Sequence, residues 1–188
     1  MRITGGNAAR RILKVPKGLN VRPTPDLVKQ AIFNSLGARV VGAKVLELFA
    51  GSGALSLESL SRGAASALCI EKSQKHAAFI HRNAEALPNA NLQSRTQDVF
   101  TALAQLSSVN AQFDLIFADP PYGEKNVGRR SESFAQQLLD NENLPHVLAP
   151  AGRFVLGHTK RDTLEIPNLW REVKMLKHGD TVMRFFEL

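Results

Sequence analysis

From Lys44 onward the chain alternates between short apolar runs and longer segments with helical spacing, and this rhythm constrains the fold more than anything else. Strand-like runs at Lys44–Phe49, Ala67–Ile70, Asn91–Arg95 and Phe113–Ala118 are followed by helical windows at Ala54–Arg62, Ser73–Leu87, Val99–Leu106 and Ser131–Asn141. Strands that alternate with helices pair in parallel, and the helices then cover both faces of the sheet. A fifth strand is expected at Arg153–Gly157, with two more at Trp170–Lys177 and Thr181–Glu187 around the turn signal His178-Gly179-Asp180. Ahead of the first strand, Thr24 or Asp26 caps a helix to about Leu36, whose Val28, Ile32, Phe33 and Leu36 share one face. The expectation is an α/β fold: a doubly wound, mostly parallel seven-stranded sheet with one antiparallel strand and helices on both faces.

At 188 residues and 44% apolar, the chain is sized for a single domain over 1–188. No stretch approaches the ~20 consecutive apolar residues of a membrane span. The start, Met1-Arg2-Ile3-Thr4-Gly5-Gly6, lacks the apolar core of a secretory signal. A lone cysteine, Cys69, sits among Ala67, Leu68 and Ile70 and reads as a buried thiol. His76, His81, His146, His158 and His178 show no ligand spacing, so no metal is expected. A cytoplasmic monomer is the expectation. The net charge of +7 is uneven: Arg2, Arg10, Arg11, Lys14, Lys17 and Arg22 put six positive charges and no acid into residues 1–22. A basic arm on a nearly neutral domain is the footprint of a phosphate-bearing partner.

The apolar run Phe113–Ala118 ends in Asp119-Pro120-Pro121-Tyr122. The prolines fix φ and stop the sheet ladder, which frees the Pro120 carbonyl to accept a hydrogen bond. Asp119 adds a second acceptor and Tyr122 a face for stacking. Such a set suits a flat heteroaromatic amine held against a reactive group.

The first strand opens into Phe49-Ala50-Gly51-Ser52-Gly53, a turn that lets a ligand approach the backbone. Ser56 stands where the dinucleotide fingerprint needs a third glycine, and no P-loop lysine follows, so pyrophosphate and triphosphate ligands are disfavoured. Glu71, 20 residues after Gly51, is spaced to accept hydrogen bonds from ribose hydroxyls. Asp98 follows the third strand, where it serves either an adenine amino group or a helix N-cap. Glu47 either faces the positive centre of a sulfonium or braces the turn. These acids and Asp119 follow four successive strands, on the edge where open α/β sheets bind ligands. A ligand with ribose and adenine but no phosphate points to S-adenosyl-L-methionine.

With those residues in view, the chain resembles the class I, Rossmann-like methyltransferases, through Glu47-Leu48-Phe49-Ala50-Gly51-Ser52-Gly53 and the amine-methylating tetrapeptide. More narrowly it resembles the RsmD-type family, which methylates guanine N2 in small-subunit (16S) ribosomal RNA. Arg2-Ile3-Thr4-Gly5-Gly6, Arg10-Arg11, Arg22-Pro23-Thr24, Phe33-Asn34-Ser35-Leu36 and Phe49–Leu55 carry that likeness over essentially the full length. It implies that Glu71 with Lys72 lies at the cofactor ribose, that Asp98 with Val99 lies at its adenine, and that Gly51–Gly53 holds its methionine part. It implies too that Thr24 and Phe33 help close the pocket. Pro25, Leu27 and Gln30 depart from the family pattern. Arg2, Arg10, Arg11 and Arg22 are then the candidate clamps for ribosomal RNA or an assembling 30S subunit. Gly123–Arg130, with Lys125, Arg129 and Arg130, is either a second contact or a solvated loop. DNA adenine-N6 methylation, protein glutamine methylation and a non-catalytic RNA-binding module remain the alternatives.

Overall fold

The computed structural model describes residues 1–15, 24–85, 87–88, 90–122, 126 and 129–188. Among these, β1 (Lys44–Leu48), β2 (Ser66–Glu71), β3 (Leu92–Thr96), β4 (Phe113–Ala118), β5 (Leu148–Thr159), β6 (Arg171–His178) and β7 (Thr181–Glu187) form one sheet. Its spatial order is β3-β2-β1-β4-β5-β7-β6. The first five strands pair in parallel, and β7 runs antiparallel to both β5 and β6. The chain order reverses direction between β1 and β4, which opens a crevice at their carboxyl ends.

The helices are α1 (Asp26–Leu36), α2 (Ala54–Ser61), α3 (Gln74–Ala84), α4 (Val99–Ser108), α5 (Phe134–Leu139) and α6 (Asn143–Val147). Both sheet faces are apolar, as a parallel sheet covered on two sides requires. Val45, Leu115, Phe117 and Val155 pack with Val28, Ile32, Phe33, Leu55 and Leu57 on one side. Leu46, Leu48, Ile116, Phe154 and Leu156 pack with Leu103, Leu106, Leu138 and Leu144 on the other. Each large side chain so buried contributes about 1.5–3 kcal/mol. Trp170 and Phe186 close this second layer against Phe154, as sheet packing predicts. Cys69 is fully buried, and burial beside the Glu47 carboxylate pushes its thiol well up, so it is no nucleophile.

Several elements differ from expectation: Pro25 is the N-cap of α1, which has no side-chain cap bond from Thr24 or Asp26, and α3 and α5 are shorter than their helical windows. β5 begins at Leu148 rather than Arg153 and runs through an irregularity, with Ala151 at φ 59° and a register shift opposite Phe113–Leu115. α6 is a short helix whose Leu144 and Val147 are buried, with Pro145 in its first turn, where a missing N–H costs little.

The basic arm is a folded hairpin as far as residue 15. Arg2 and Ile12 form a β-bridge, the Ile3 N–H donates to the Arg11 carbonyl, and the Leu13 N–H donates to the Met1 carbonyl. Ile3, Ala8 and Leu13 are buried in the core while Arg10 and Arg11 stay exposed. Beneath the hairpin lies an ionic cluster. Glu58 accepts from the Thr4 N–H and hydroxyl, each at 2.8 Å, and from Arg62 Nε at 2.8 Å. Lys29, also fully buried, reaches Glu58 at 3.5 Å, Asp26 at 3.4 Å and the Arg2 carbonyl. Only glycine fits at position 6, where a Cβ would fall 1.8 Å from the Ser61 carbonyl oxygen.

Candidate active site at the carboxyl rim of the sheet

The strand register lines up the rim. Leu48 pairs with Ile70 on one side and Ala118 on the other, and Ala118 pairs with Leu156. The turn after β1, Glu71 at the end of β2, Asp98 after β3 and Asp119 after β4 therefore share one edge.

Phe49 leaves β1 with φ 55°, a left-handed conformation that costs an aromatic residue strain and marks a functional turn. Gly51 and Gly53 also have positive φ. A Cβ at Gly51 would meet nothing within 4 Å, so the space above the turn is open. At Gly53 a Cβ would come within 3.2 Å of Ile80, so that glycine is needed where the turn packs on α3. Ser52 and Ala50 are buried beneath the turn. The Ser52 carbonyl accepts from Asn83 Nδ2 at 3.0 Å, and the same amide nitrogen donates to the Lys14 carbonyl. Asn83 thus ties the glycine turn to the end of the basic hairpin, a link that no local pattern signals.

Glu71 Oε2 accepts the Gly51 N–H and Oε1 the Ser73 N–H, both at 2.8 Å. His76 Nδ1 also lies 3.6 Å from Oε1; two carboxylate oxygens offer about four acceptor positions, so acceptor capacity remains on Glu71. Of the two roles open to it, Asp98 takes the N-cap: Oδ1 caps α4 through the Phe100 and Thr101 N–H groups, while Oδ2 lies 3.3 Å from the exposed Lys72 ammonium. Burial pushes its pKa up, but the backbone donors and Lys72 outweigh that and hold the carboxyl below its ordinary range. Val99 is buried behind it in the core. Phe100 and Phe134 join Phe49 in an aromatic trio with ring centroids 5.2–6.5 Å apart, and Phe134 is partly exposed. The trio escapes a sequence reading because its members come from three segments.

Two expected cofactor residues stand elsewhere in their chemistry. Of the two roles open to Glu47, its carboxylate takes the second: it is buried and accepts the Leu55 and Ser56 N–H groups at the start of α2. Burial pushes this carboxyl up to about 7 against the pull of those donors. Phe33 is a core residue, its ring 5.7 Å from that of Phe117 and beneath the Arg62 guanidinium at 5.0 Å. It also lines a cavity of about 490 Å³ with Gly6, Asn34, Gly37, Val40 and Arg62.

The tetrapeptide at 119–122 follows β4 directly. Pro120 is buried, while Pro121 and Tyr122 face solvent. The Tyr122 hydroxyl hydrogen-bonds Thr181 Oγ1 on β7 at 2.8 Å. Thr24, just ahead of α1, donates its hydroxyl to Asp119 Oδ2 at 2.6 Å. The expected RNA clamps divide. Arg10 and Arg11 are exposed, Arg2 pairs with Asp26 at 3.3 Å, and Arg22 lies outside the described residues, as does Lys125. Arg130 is held by Asp140 at 2.8 Å and Glu165 at 3.3 Å, which removes it as an unencumbered second contact. Among the described residues, no three His, Cys, Asp or Glu side chains cluster as metal ligands, and no helix is long and apolar enough to cross a membrane.

Residues 1–187 match the model of a family described as conserved hypothetical protein 95. A Haemophilus influenzae protein named ribosomal RNA small subunit methyltransferase D is 33% identical, over all of this chain and 93% of its own length. An Escherichia coli protein of the same name is 38% identical over 65% of this chain and 60% of its own length. A solved Escherichia coli structure, provisionally described as a methyltransferase, superposes with a TM-score of 0.78 at 31% identity, covering 99% of this chain and 96% of the other.

Proposed function

Since this chain belongs to the RsmD-type methyltransferase family, we propose that it transfers a methyl group from S-adenosyl-L-methionine to the exocyclic N2 of a guanine in small-subunit ribosomal RNA, on an assembling 30S subunit. What supports this reading is that Asp119, directly after β4 and followed in the chain by Pro120, Pro121 and Tyr122, lies on the rim that also bears the open glycine turn and Glu71.

The residues present fit the cofactor. Glu71 keeps acceptor capacity for ribose hydroxyls, Asp98 stands at the next strand end beside Lys72, and the Phe49, Phe100 and Phe134 trio offers an apolar surface to a flat base. Gly51 leaves room for the methionine part. Bound there, the cofactor supplies a sulfonium methyl and a neutral leaving group.

The remaining work belongs to the protein. The lone pair of a guanine amino group is delocalised into the ring. Asp119 and the Pro120 carbonyl accept its two hydrogens, draw the nitrogen towards tetrahedral geometry and aim the lone pair across the rim. Tyr122, pinned by Thr181, stacks on the base and fixes the approach. Orientation of this kind supplies about 7–11 kcal/mol in favourable cases. The nitrogen becomes acidic as it forms its bond to the methyl carbon, so its surplus proton passes to the Asp119 carboxylate and on to solvent without that group needing to be a strong base. The base must leave its stack to reach the pocket, which favours a loop or bulge. Exposed Arg10 and Arg11 hold the flanking phosphates.

Labelled S-adenosylmethionine with 30S subunits from a strain lacking this protein tests the reading. Transfer to subunit RNA is expected from the wild type and none from Asp119→Ala, whose cofactor affinity stays within about twofold. Transfer to duplex DNA or to protein instead would overturn it.

A further inference from the structure

We infer that Thr24 and Gly157 are positioning residues that lock the Asp119 carboxylate in its reactive orientation, an inference that rests on the acceptor role proposed for Asp119. The side chain stands at the end of β4, half-exposed on an open rim, and the terminal torsion of an aspartate is broad and weakly preferred. An acceptor that must hold an amino hydrogen in one direction therefore needs outside constraint.

The structure supplies it from both sides. Thr24 is buried, lies 95 positions away in sequence, and donates to Oδ2 at 2.6 Å, a short bond of the kind a charged acceptor makes. On the opposite side is Gly157 of β5, whose neighbour Leu156 pairs with Ala118. A Cβ at Gly157 would fall 2.4 Å from Asp119 Oδ1, 3.0 Å from its Cγ and 3.2 Å from Met183 Sδ. Gly157 has no positive φ to explain it, and glycine weakens the interior of a strand. What the missing side chain provides is room for the carboxylate to lie against the strand. One oxygen is thus held by a hydroxyl, and the other is seated where only glycine leaves space.

The test is single-turnover methyl transfer to 30S subunits from a strain lacking this protein, with cofactor affinity by calorimetry and melting temperature for every variant. Gly157→Ala is expected to slow transfer by about 100-fold, the scale of a 1 Å misplacement, with cofactor affinity within about twofold. Thr24→Val, isosteric but without a donor, is expected to lose at least about tenfold, and Thr24→Ser to restore most of it. In an Asp119→Asn background both substitutions should add almost nothing, since they act through that carboxylate; a purely structural role would add its full effect. If Gly157→Ala does not fold, Thr24→Val and Thr24→Ser decide alone. Wild-type rates in Thr24→Val, or full additivity with Asp119→Asn, overturn the inference. The cycle is read from the residual transfer of Asp119→Asn; an Asp119→Asn enzyme as fast as the wild type would instead remove the proposed role of Asp119 itself.

Discussion

Replacing Glu58 by leucine is expected to cost the fold about 3–5 kcal/mol and to release the basic hairpin. The magnitude follows from the cluster beneath that hairpin. The side chains of Glu58 and Lys29 are both 0% exposed, so removing the carboxylate leaves a buried ammonium with only Asp26 and a carbonyl as partners. Breaking a buried pair in this way costs about 3–5 kcal/mol. The substitution also takes both acceptors from Thr4 and the Nε partner from Arg62. Lys29→Met is the milder change, since Glu58 keeps Thr4 and the partly exposed Arg62. The double variant Lys29→Met with Glu58→Leu should recover part of the loss, because no uncompensated charge remains. With a urea slope of about 2 kcal/mol/M, Glu58→Leu shifts the unfolding midpoint down by roughly 1.5–2.5 M. Amide exchange supplies the local readout: the Ile3 and Leu13 N–H groups, bonded across the hairpin, should lose protection well below global unfolding. A midpoint shift under about 0.5 M, or full protection of those amides in the variant, would refute the reasoning.

The buried carboxyl of Glu47 predicts a pH dependence. Its folded-state value of about 7 lies above the unfolded 4.5, so the folded state holds the extra proton between them. The associated stability is present below about pH 4.5 and lost as pH rises through 7, by roughly 3 kcal/mol, and Glu47→Gln should flatten that slope in unfolding titrations from pH 5 to 8. Neutralising Arg10 and Arg11 should weaken RNA binding at all sequences and lower the slope of log affinity against log salt by about 1–2; an unchanged slope would exclude them as phosphate contacts. Tyr122→Phe keeps the ring but loses the bond to Thr181, so transfer should fall about tenfold or less, whereas Tyr122→Ala should fall much further. Equal losses in the two would mean that the hydroxyl, not the ring, does the work.

Much of the architecture was legible because it rests on local periodicity. The strand expected at Lys44–Phe49 and found at Lys44–Leu48, the glycine turn after it and the end of Phe113–Ala118 at Asp119 are each short-range patterns, and they place the rim correctly. The expected single antiparallel strand is β7, next to the hairpin turn at Gly179. What escaped depends on contacts between distant segments. Thr24 meets Asp119 across 95 positions and Asn83 joins Lys14 to Ser52, and nothing local distinguishes that asparagine from a surface one. Gly157 reads in sequence only as a weak spot in a strand. Glu47 shows the converse, since a rim position suggested ligand contact while the fold spends its carboxylate on the first turn of α2. The charge of the basic arm was legible, but its anchoring was not, because Ile3, Ala8 and Leu13 are too few and too scattered to signal burial.

The central claim is tested most directly by mass spectrometry of nucleosides from small-subunit RNA of a strain lacking this protein. The account predicts loss of one N2-methylguanine, restored by the wild-type gene and not by one encoding Asp119→Ala. An unchanged methylguanine content, or restoration by the Asp119→Ala gene, would contradict it.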